Sequence, residues 1–204
     1  MTIVASDLEG VGLAAAAIQR GDVIAIPTDT VYGLACDPAS DAAVNRVYEI
    51  KRRPAALELT LLAASAGDLE QLVRFDRDAR SLAARFWPGA LSIVMPVREL
   101  RRAVPRRGAT LSCRVPGHPV LLSLLGRTGP LATTSANRHG SPPAKTAEEA
   151  HLALGDEVTL VLDGGTAGGE PSTIIDCTTT PPRVLREGPI ASGLLFAHLG
   201  HRNE

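Results

Sequence analysis

Polar side chains lie within or directly after several apolar runs of this sequence, where strands of a buried sheet would end. In open α/β sheets the crevice beyond the strand ends binds ligands, so side chains from different runs can converge on one cleft. Such a cleft would hold a polar ligand. The alternative is that these residues only stabilise turns and helix starts, as Ser and Thr often do. The side chains concerned are Thr28, Thr30, Arg114, Thr133, Thr134, Ser135, Asn137, Ser172 and Thr173.

A cationic segment, Lys51-Arg52-Arg53, ends a predicted helix just before Pro54. Lys51 and Arg53 could hold a polyphosphate, because Arg offers phosphate oxygens a planar fork and Lys a mobile point charge. The alternative is an interaction with the helix dipole, which contributes about 0.3–1 kcal/mol per cation. The sequence contains neither GxxxxGK[ST] nor a GxGxxG after a strand, so side chains would do most of the work of holding the phosphates of a nucleotide.

The composition bounds the class of protein. The chain has 204 residues with 45% apolar and 21% charged, enough for one sizeable core. A net charge of −1 argues against a protein that mainly coats nucleic acid, although a local basic face remains compatible with it. Three widely spaced cysteines without a CxxC pair predict neither a disulfide framework nor a metal site, and they fit a reducing cytosol. We expect no signal peptide and no membrane span.

Strands and helices are predicted to alternate along the whole chain, which indicates an α/β fold around a mixed sheet. A glycine-rich segment, residues 164–171, is the nearest feature to a hinge. The predicted helices are Leu8–Arg20, Ser40–Arg52, Asp76–Phe86, His118–Leu125, one from Thr146 with a capping box to Glu149, and Ile190–Leu199. The predicted strands are Val23–Ile26, Leu59–Ala63, Leu91–Val97, Ala109–Val115, Leu131–Thr134, Val158–Leu162, Thr173–Asp176 and Arg183–Leu185.

Seven segments in chain order resemble the YrdC-like threonylcarbamoyl-adenylate synthases, over about residues 8–195. They are Ile26–Cys36, Lys51-x-Arg53, Phe86–Gly89, Arg114–Pro116, Ser135-x-Asn137, Pro171–Ile174 and Leu185–Gly188. The resemblance implies the short form of the family, a single domain over residues 1–204. It also implies an α/β fold in which helices flank a twisted mixed β-sheet with a large concave cavity.

The resemblance implies a nucleotidyltransferase that condenses L-threonine, bicarbonate and ATP to L-threonylcarbamoyl-AMP and pyrophosphate. Mg²⁺ would accompany the ATP. A partner transferase would then move the threonylcarbamoyl group to a tRNA adenosine, which gives the t6A modification. The expected location is the cytoplasm, with possible contact to tRNA and none to a membrane.

The resemblance also assigns roles to residues of this chain. The catalytic residues would be Lys51, Arg53, Ser135 and Asn137. The ATP-binding residues would be these four with Thr110 and Arg186. The threonine-binding residues would be Thr30, Arg114, Thr133 and Ser172. The chain departs from the family pattern at Leu57, Leu62 and Pro143, which bears on ATP and threonine affinity more than on the type of reaction.

Two other functions stay open at this point. One is an RNA-binding module that uses a basic concavity without catalysis and would tolerate the loss of Ser135 and Asn137. The other is a relative that forms carbamoyl-AMP for another acceptor.

We further expect the segment from about Gly164 to Arg186 to close over ATP, because glycines permit the backbone angles that a moving loop needs. A static surface turn is the alternative.

Overall fold

The computed structural model describes residues 2–52, 59–98 and 109–200 of the chain. In chain order the helices are α1 (Leu8–Gln19), α2 (Asp41–Lys51), α3 (Ala66–Glu70), α4 (Arg77–Phe86), α5 (Pro119–Thr128), α6 (Ala147–Leu154) and α7 (Ser192–Leu199). The strands are β1 (Thr2–Ala5), β2 (Ile24–Ile26), β3 (Gly33–Cys36), β4 (Thr60–Leu62), β5 (Leu91–Pro96), β6 (Thr110–Arg114), β7 (Leu131–Ser135), β8 (Leu160–Asp163), β9 (Thr173–Asp176) and β10 (Arg183–Arg186).

Within the described residues, all ten strands join one sheet in the order β1-β8-β2-β3-β7-β4-β6-β5-β9-β10. The sheet contains parallel pairs, such as β4 with β6 and β5 with β9, and antiparallel pairs, such as β3 with β7 and β5 with β6. The predicted mixed α/β sheet is therefore confirmed.

Helix starts follow the capping side chains that the sequence indicates. Ser40 accepts a hydrogen bond from the backbone of Ala43, and Asp76 accepts one from Ala79. Each satisfies a donor that the first helical turn leaves without a partner. The capping box at Thr146 is only half formed: Thr146 accepts from the Glu149 backbone, but the Glu149 carboxylate accepts from the backbone of Lys145.

Helices cover both faces of the sheet. On one face, α2 and α6 pack on β2, β3 and β7, while α3, α4 and α7 pack on β4, β5 and β6. On the other face, α1 and α5 cover one half of the sheet. Strand β2 shows why its apolar residues are consecutive: Ala25 faces α2, and Ile24 and Ile26 face α1, so the strand is buried on both sides.

Three elements escaped sequence prediction, namely β1, the short α3 and β3. Trp87 is half-buried, and its indole N–H donates to the carbonyl of Leu91 at 2.7 Å. The expected closing segment from Gly164 to Arg186 is wrong in its second half. Residues 173–176 and 183–186 are strands held in the sheet by ladder hydrogen bonds, so the part of the segment that precedes the sheet is confined to residues 164–172. No helix in the described ranges is both long and apolar enough to cross a membrane.

Candidate active site

The half of the sheet face that α1 and α5 leave uncovered carries hydroxyl groups. Side chains alternate along a strand, so Thr60, Ser112, Thr133 and Ser135 fall on this face. The ladder register aligns Thr60 with Ser112 on one side and with Thr133 on the other. Thr133 donates to the Thr60 carbonyl at 2.9 Å, and the hydroxyls of Thr60 and Ser112 lie 3.2 Å apart.

A cavity of about 220 Å³ lies over this face. Its lining includes residues from the turn after β2, from strands β3, β4, β5, β7, β9 and β10, and from the segment before β9. The lining residues used below are Thr28, Thr30, Leu62, Ser92, Thr133, Ser135, Ser172 and Arg186. The structure thus brings together five residues that the family resemblance assigned to substrates: Thr30, Thr133, Ser135, Ser172 and Arg186. Their individual roles stay predictions.

The turn after β2 presents Thr30 to the cavity. The Thr28 hydroxyl accepts from the backbone N–H groups of Thr30 and Val31 and donates to the Val31 carbonyl at 2.6 Å. A Thr side chain that bonds its own turn in this way fixes the local backbone. The hydroxyls of Thr28 and Thr30 lie 2.9 Å apart, and both residues are buried.

Arg114 lies behind Thr30 and is only 5% exposed. Its Nε donates to the Gly89 carbonyl at 2.8 Å, one terminal nitrogen donates to the Thr30 hydroxyl at 2.9 Å, and the other pairs with the carboxylate of Asp29. Burial lowers the pKa of Arg114, and the Asp29 carboxylate acts against that shift. The two terminal nitrogens of Arg114 already contact Thr30 and Asp29. Direct contact between Arg114 and an amino acid therefore stays a prediction.

Lys51 forms a buried polar cluster with Ser135 and Asn137. Its Nζ donates to the Asn137 side-chain oxygen at 2.6 Å, to the Ser135 carbonyl at 2.7 Å and to the Ser135 hydroxyl at 3.2 Å. The Ser135 hydroxyl also donates to Asn137 at 2.6 Å. Lys51 is 3% exposed, so its ammonium acts in a medium of low dielectric, where charge interactions are stronger than in water.

The chain after β7 holds the end of α2 beside this cluster. The backbone N–H of His139 donates to the Lys51 carbonyl at 2.9 Å, and the Arg138 guanidinium donates to the carbonyl of Ile50. Carbonyl groups in the last turn of a helix lack intrahelical partners, so these donors satisfy them. The same few residues that contribute Ser135 and Asn137 therefore also position Lys51.

Arg186 closes the opposite side of the cavity. Its Nε and one terminal nitrogen donate to the Ser172 carbonyl at 2.9 and 2.7 Å, and the Ser172 hydroxyl lies 2.9 Å from that of Ser92. Burial and the nearby Arg114 cation both lower the pKa of Arg186. The Arg114 guanidinium, behind Thr30, therefore lies within electrostatic range of Arg186 at the cavity wall.

The glycine-rich segment after β8 docks on the turn that carries Thr30. The Tyr32 hydroxyl donates to the Gly165 carbonyl at 2.7 Å and accepts from the Gly164 backbone at 3.1 Å. Burial raises the pKa of Tyr32 to about 12, so the hydroxyl keeps its proton at neutral pH. The Gly169 N–H donates to the Thr30 carbonyl at 2.6 Å, while a Cβ on Gly168 would lie only 2.8 Å from the Asp29 carbonyl.

Some predicted residues lie elsewhere. Thr110 shares the face of β6 with Arg114 but starts the strand and is not among the residues that line the cavity. Arg53 and Leu57 lie outside the described residues. Of the departures from the family pattern, Leu62 lines the cavity as an apolar wall, whereas Pro143 does not reach it.

Four residues at the site were not assigned from the sequence: Asp29, Tyr32, Thr60 and Ser92. Thr60 and Ser92 carry a signal that could have found them, since each is a lone hydroxyl in an otherwise apolar strand. The partners of Asp29 and Tyr32 lie 85 and more than 130 residues away in the chain, so only the fold discloses them. Among the described residues, no group of three or more His, Cys, Asp or Glu side chains could hold a metal ion.

Comparisons with known proteins identify relatives of this chain. The sequence model of the Sua5, YciO and YrdC family, described as telomere recombination, matches residues 16–188. A threonylcarbamoyl-AMP synthase of Klebsiella pneumoniae is 40% identical over 177 residues, which cover 84% of this chain and 93% of the relative. The threonylcarbamoyl-AMP synthase of Bacillus subtilis is 36% identical and covers 92% of this chain, which spans 56% of that protein.

A solved structure shows the same fold. The crystal structure of Pyrococcus abyssi Sua5 complexed with L-threonine superposes with a TM-score of 0.91 at 34% identity, covering 98% of this chain and 61% of that one. The fold and the family that the sequence motifs indicate are thereby confirmed. The chain belongs to the Sua5/YciO/YrdC family.

Proposed function

We propose that the chain is an L-threonylcarbamoyladenylate synthase, a nucleotidyltransferase that joins L-threonine, bicarbonate and ATP to give L-threonylcarbamoyl-AMP and pyrophosphate. The names of its relatives support this proposal. The observation that carries it is the adjacency of two sites through Ser135, which both lines the hydroxyl-rich cavity and bonds the buried Lys51 ammonium. An amino acid and a nucleotide could meet there.

The cavity suits the amino acid. Thr30, Thr133 and Ser172 offer hydroxyls, and the Arg114 guanidinium, which lies behind Thr30, would hold the carboxylate. L-threonine binding to the Pyrococcus abyssi protein supports the assignment. The apolar wall at Leu62 could contact the methyl group of the substrate.

The cluster of Lys51, Ser135 and Asn137 suits ATP. We assign Lys51 and Arg53 to the phosphates, and Ser135, Asn137, Thr110 and Arg186 to the remainder of the nucleotide. Mg²⁺ would enter bound to ATP, since it prefers oxygen ligands, keeps several waters and commonly binds substrate phosphates. Its effect would be to neutralise developing charge on the departing pyrophosphate.

The reaction needs positioning more than a protein nucleophile. The amine of threonine and CO₂ from bicarbonate form a carbamate with loss of a proton. A carbamate oxygen then bonds to the α-phosphorus as the bond from that phosphorus to pyrophosphate breaks. Fixed cations and donors such as Lys51 stabilise the charge that develops, which is the main contribution in phosphoryl and nucleotidyl transfer.

The downstream partner, the cellular location and the domain organisation are proposed as well. The product would pass to a transferase that modifies a tRNA adenosine, so we place the protein in the cytoplasm, with tRNA contact possible through that partner. We also propose that residues 1–204 work as one domain, because the described strands all join one sheet.

Two other functions make different predictions. A non-catalytic RNA-binding module of the same fold would bind RNA and tolerate loss of Ser135 and Asn137. A carbamoyl-AMP-forming relative would release pyrophosphate without needing threonine. We therefore expect pyrophosphate release from ATP only when bicarbonate and L-threonine are both added, with each of the other amino acids tested in turn. Release that does not depend on the amino acid would contradict the proposal.

The segment 164–172 is expected to act as a lid. Adding ATP and L-threonine together should slow hydrogen exchange of its amides, because closure would exclude water from a carbamate and a mixed anhydride that both hydrolyse readily. The exposed turn 178–180 offers an internal control whose exchange should not change. Unchanged exchange in 164–172 with both ligands bound would show that the segment is a static turn.

A further inference from the structure

The Arg138 guanidinium joins two separate parts of the fold. One of its terminal nitrogens donates to the Ile50 carbonyl in the last turn of α2, and the other forms an ion pair with the Glu157 carboxylate. Glu157 ends the short 3₁₀ turn Gly155–Glu157, which lies between α6 and β8. Because each terminal nitrogen has its own partner, the plane of the guanidinium is fixed.

This ion pair is better shielded from solvent than a surface pair on α2. The side chains of Arg138 and Glu157 are 28% and 35% exposed, against 45% and 66% for Arg46 and Glu49. Exposed pairs contribute little, because water and salt screen them. The end of α2 favours a cation as well, since the last carbonyl groups of a helix carry partial negative charge. Arg138 is therefore held from two sides.

The geometry at Lys51 depends on where α2 ends. The Lys51 ammonium makes three contacts of 2.6 to 3.2 Å with Ser135 and Asn137. Residues 138 and 139, which come next in the chain, donate to the last carbonyl groups of the helix that carries Lys51. A shift of about 1 Å in the helix end would stretch the ammonium contacts beyond hydrogen-bond range or force the buried stem out of its rotamer.

We propose that Glu157 and Arg138 are positioning residues: Glu157 orients the Arg138 guanidinium, and Arg138 holds the end of α2 so that the Lys51 ammonium is placed for the phosphates of the nucleotide. This inference rests on the proposed function, because it takes Lys51 as a phosphate ligand. Neither Glu157 nor Arg138 is among the residues that line the cavity, so the proposal gives neither of them a contact with substrate.

The test measures the Kd of ATP with Mg²⁺ and the Kd of L-threonine by separate calorimetric titrations. We expect Arg138→Met to weaken ATP about 5- to 20-fold, because a small displacement of a binding group is costly. Glu157→Gln, which keeps the shape and removes the charge, should weaken ATP about 2- to 5-fold. The Kd of L-threonine and the melting temperature should stay near wild-type values. Arg46→Met is the matched control, since it removes an exposed ion pair from α2, and it should change neither Kd.

A double-mutant cycle tests the route of the effect. If Arg138 acts through Lys51, adding Arg138→Met to Lys51→Met should cause no further loss of ATP affinity. If Glu157 acts through Arg138, adding Glu157→Gln to Arg138→Met should likewise cause none. Losses that simply add would show that the two residues affect ATP by another route, which overturns the proposal.

The remaining outcomes separate the proposal from its alternatives. Unchanged ATP affinity in Arg138→Met, with or without a lower melting temperature, would leave Arg138 a purely structural role and overturn the proposal. Equal losses for ATP and L-threonine would also overturn it, since they would indicate general damage to the fold. Wild-type protein that binds ATP but releases no pyrophosphate would contradict the proposed function alone, because the titrations need no turnover. Wild-type protein that does not bind ATP would overturn both.

Discussion

Replacing Lys51 with methionine is expected to lower kcat/KM for ATP by about 100- to 1,000-fold, which is the usual effect of removing one fixed donor from a charged transition state. Methionine keeps the apolar stem of the side chain and removes only the ammonium. Lys51 donates to Ser135 and Asn137 within 3.2 Å and is 3% exposed, so no water can readily take its place.

The fold should survive this substitution. The Ser135 hydroxyl still donates to Asn137, and the oxygens that lose the ammonium would cost about 1–3 kcal/mol of unfolding free energy. Arg46→Met is the matched control, because Arg46 lies on the exposed face of the same helix, where it pairs with Glu49. Thermal melting and steady-state kinetics check both variants. A folded Lys51→Met protein with control-like activity would refute the phosphate role of Lys51.

Threoninol is expected to bind about 10- to 100-fold more weakly than L-threonine, because it lacks the carboxylate that Arg114 would hold and that the Arg186 cation would favour. Losing a hydrogen bond to a charged group costs about 1.5–3 kcal/mol, and Arg114 keeps its ion pair with Asp29 whichever ligand binds. Burial lowers the pKa values of Arg114 and Arg186, yet arginine stays protonated at neutral pH, so the cavity keeps its positive charge.

L-threonine amide gives a second, shape-matched comparison. It replaces one carboxylate oxygen with a nitrogen, so it keeps the shape of L-threonine and removes the negative charge. Calorimetry on all three ligands measures the effect directly. If the carboxylate is recognised by charge, the amide and threoninol lose similar affinity. Equal binding of L-threonine and threoninol would show that the arginines do not hold the carboxylate.

Much of the fold could be predicted because its signals are local. The predicted helix starts at Ser40 and Asp76 lie one residue before α2 and α4, where these side chains are the N-caps, and the apolar run in β2 indicated a strand covered on both faces. Strand β3 was missed because its residues, Gly33–Cys36, follow a polar turn and are too few to show alternation. The edge strand β1 is largely exposed, so it lacks the apolar pattern of a core strand.

The site could be predicted only where polarity breaks an apolar pattern. Thr133 and Ser135 stand out at the end of β7 for that reason, and the structure places both at the cavity. Asp29 and Arg114 lie 85 residues apart in the sequence. Their pairing depends on how the fold brings the turn after β2 to the end of β6, which no local pattern encodes. The proposed lid is limited to residues 164–172 by the ladder contacts of β9 and β10, which the sequence did not indicate.

The central claim is tested most directly by following the carbon of labelled bicarbonate. The protein is incubated with ATP, Mg²⁺, labelled bicarbonate and L-threonine, and the nucleotide products are separated and identified by mass spectrometry. We predict labelled L-threonylcarbamoyl-AMP in equal amount to pyrophosphate, and no such product when threonine, bicarbonate or ATP is left out. Pyrophosphate without a labelled threonylcarbamoyl adenylate, or a labelled adenylate that lacks threonine, would contradict the account.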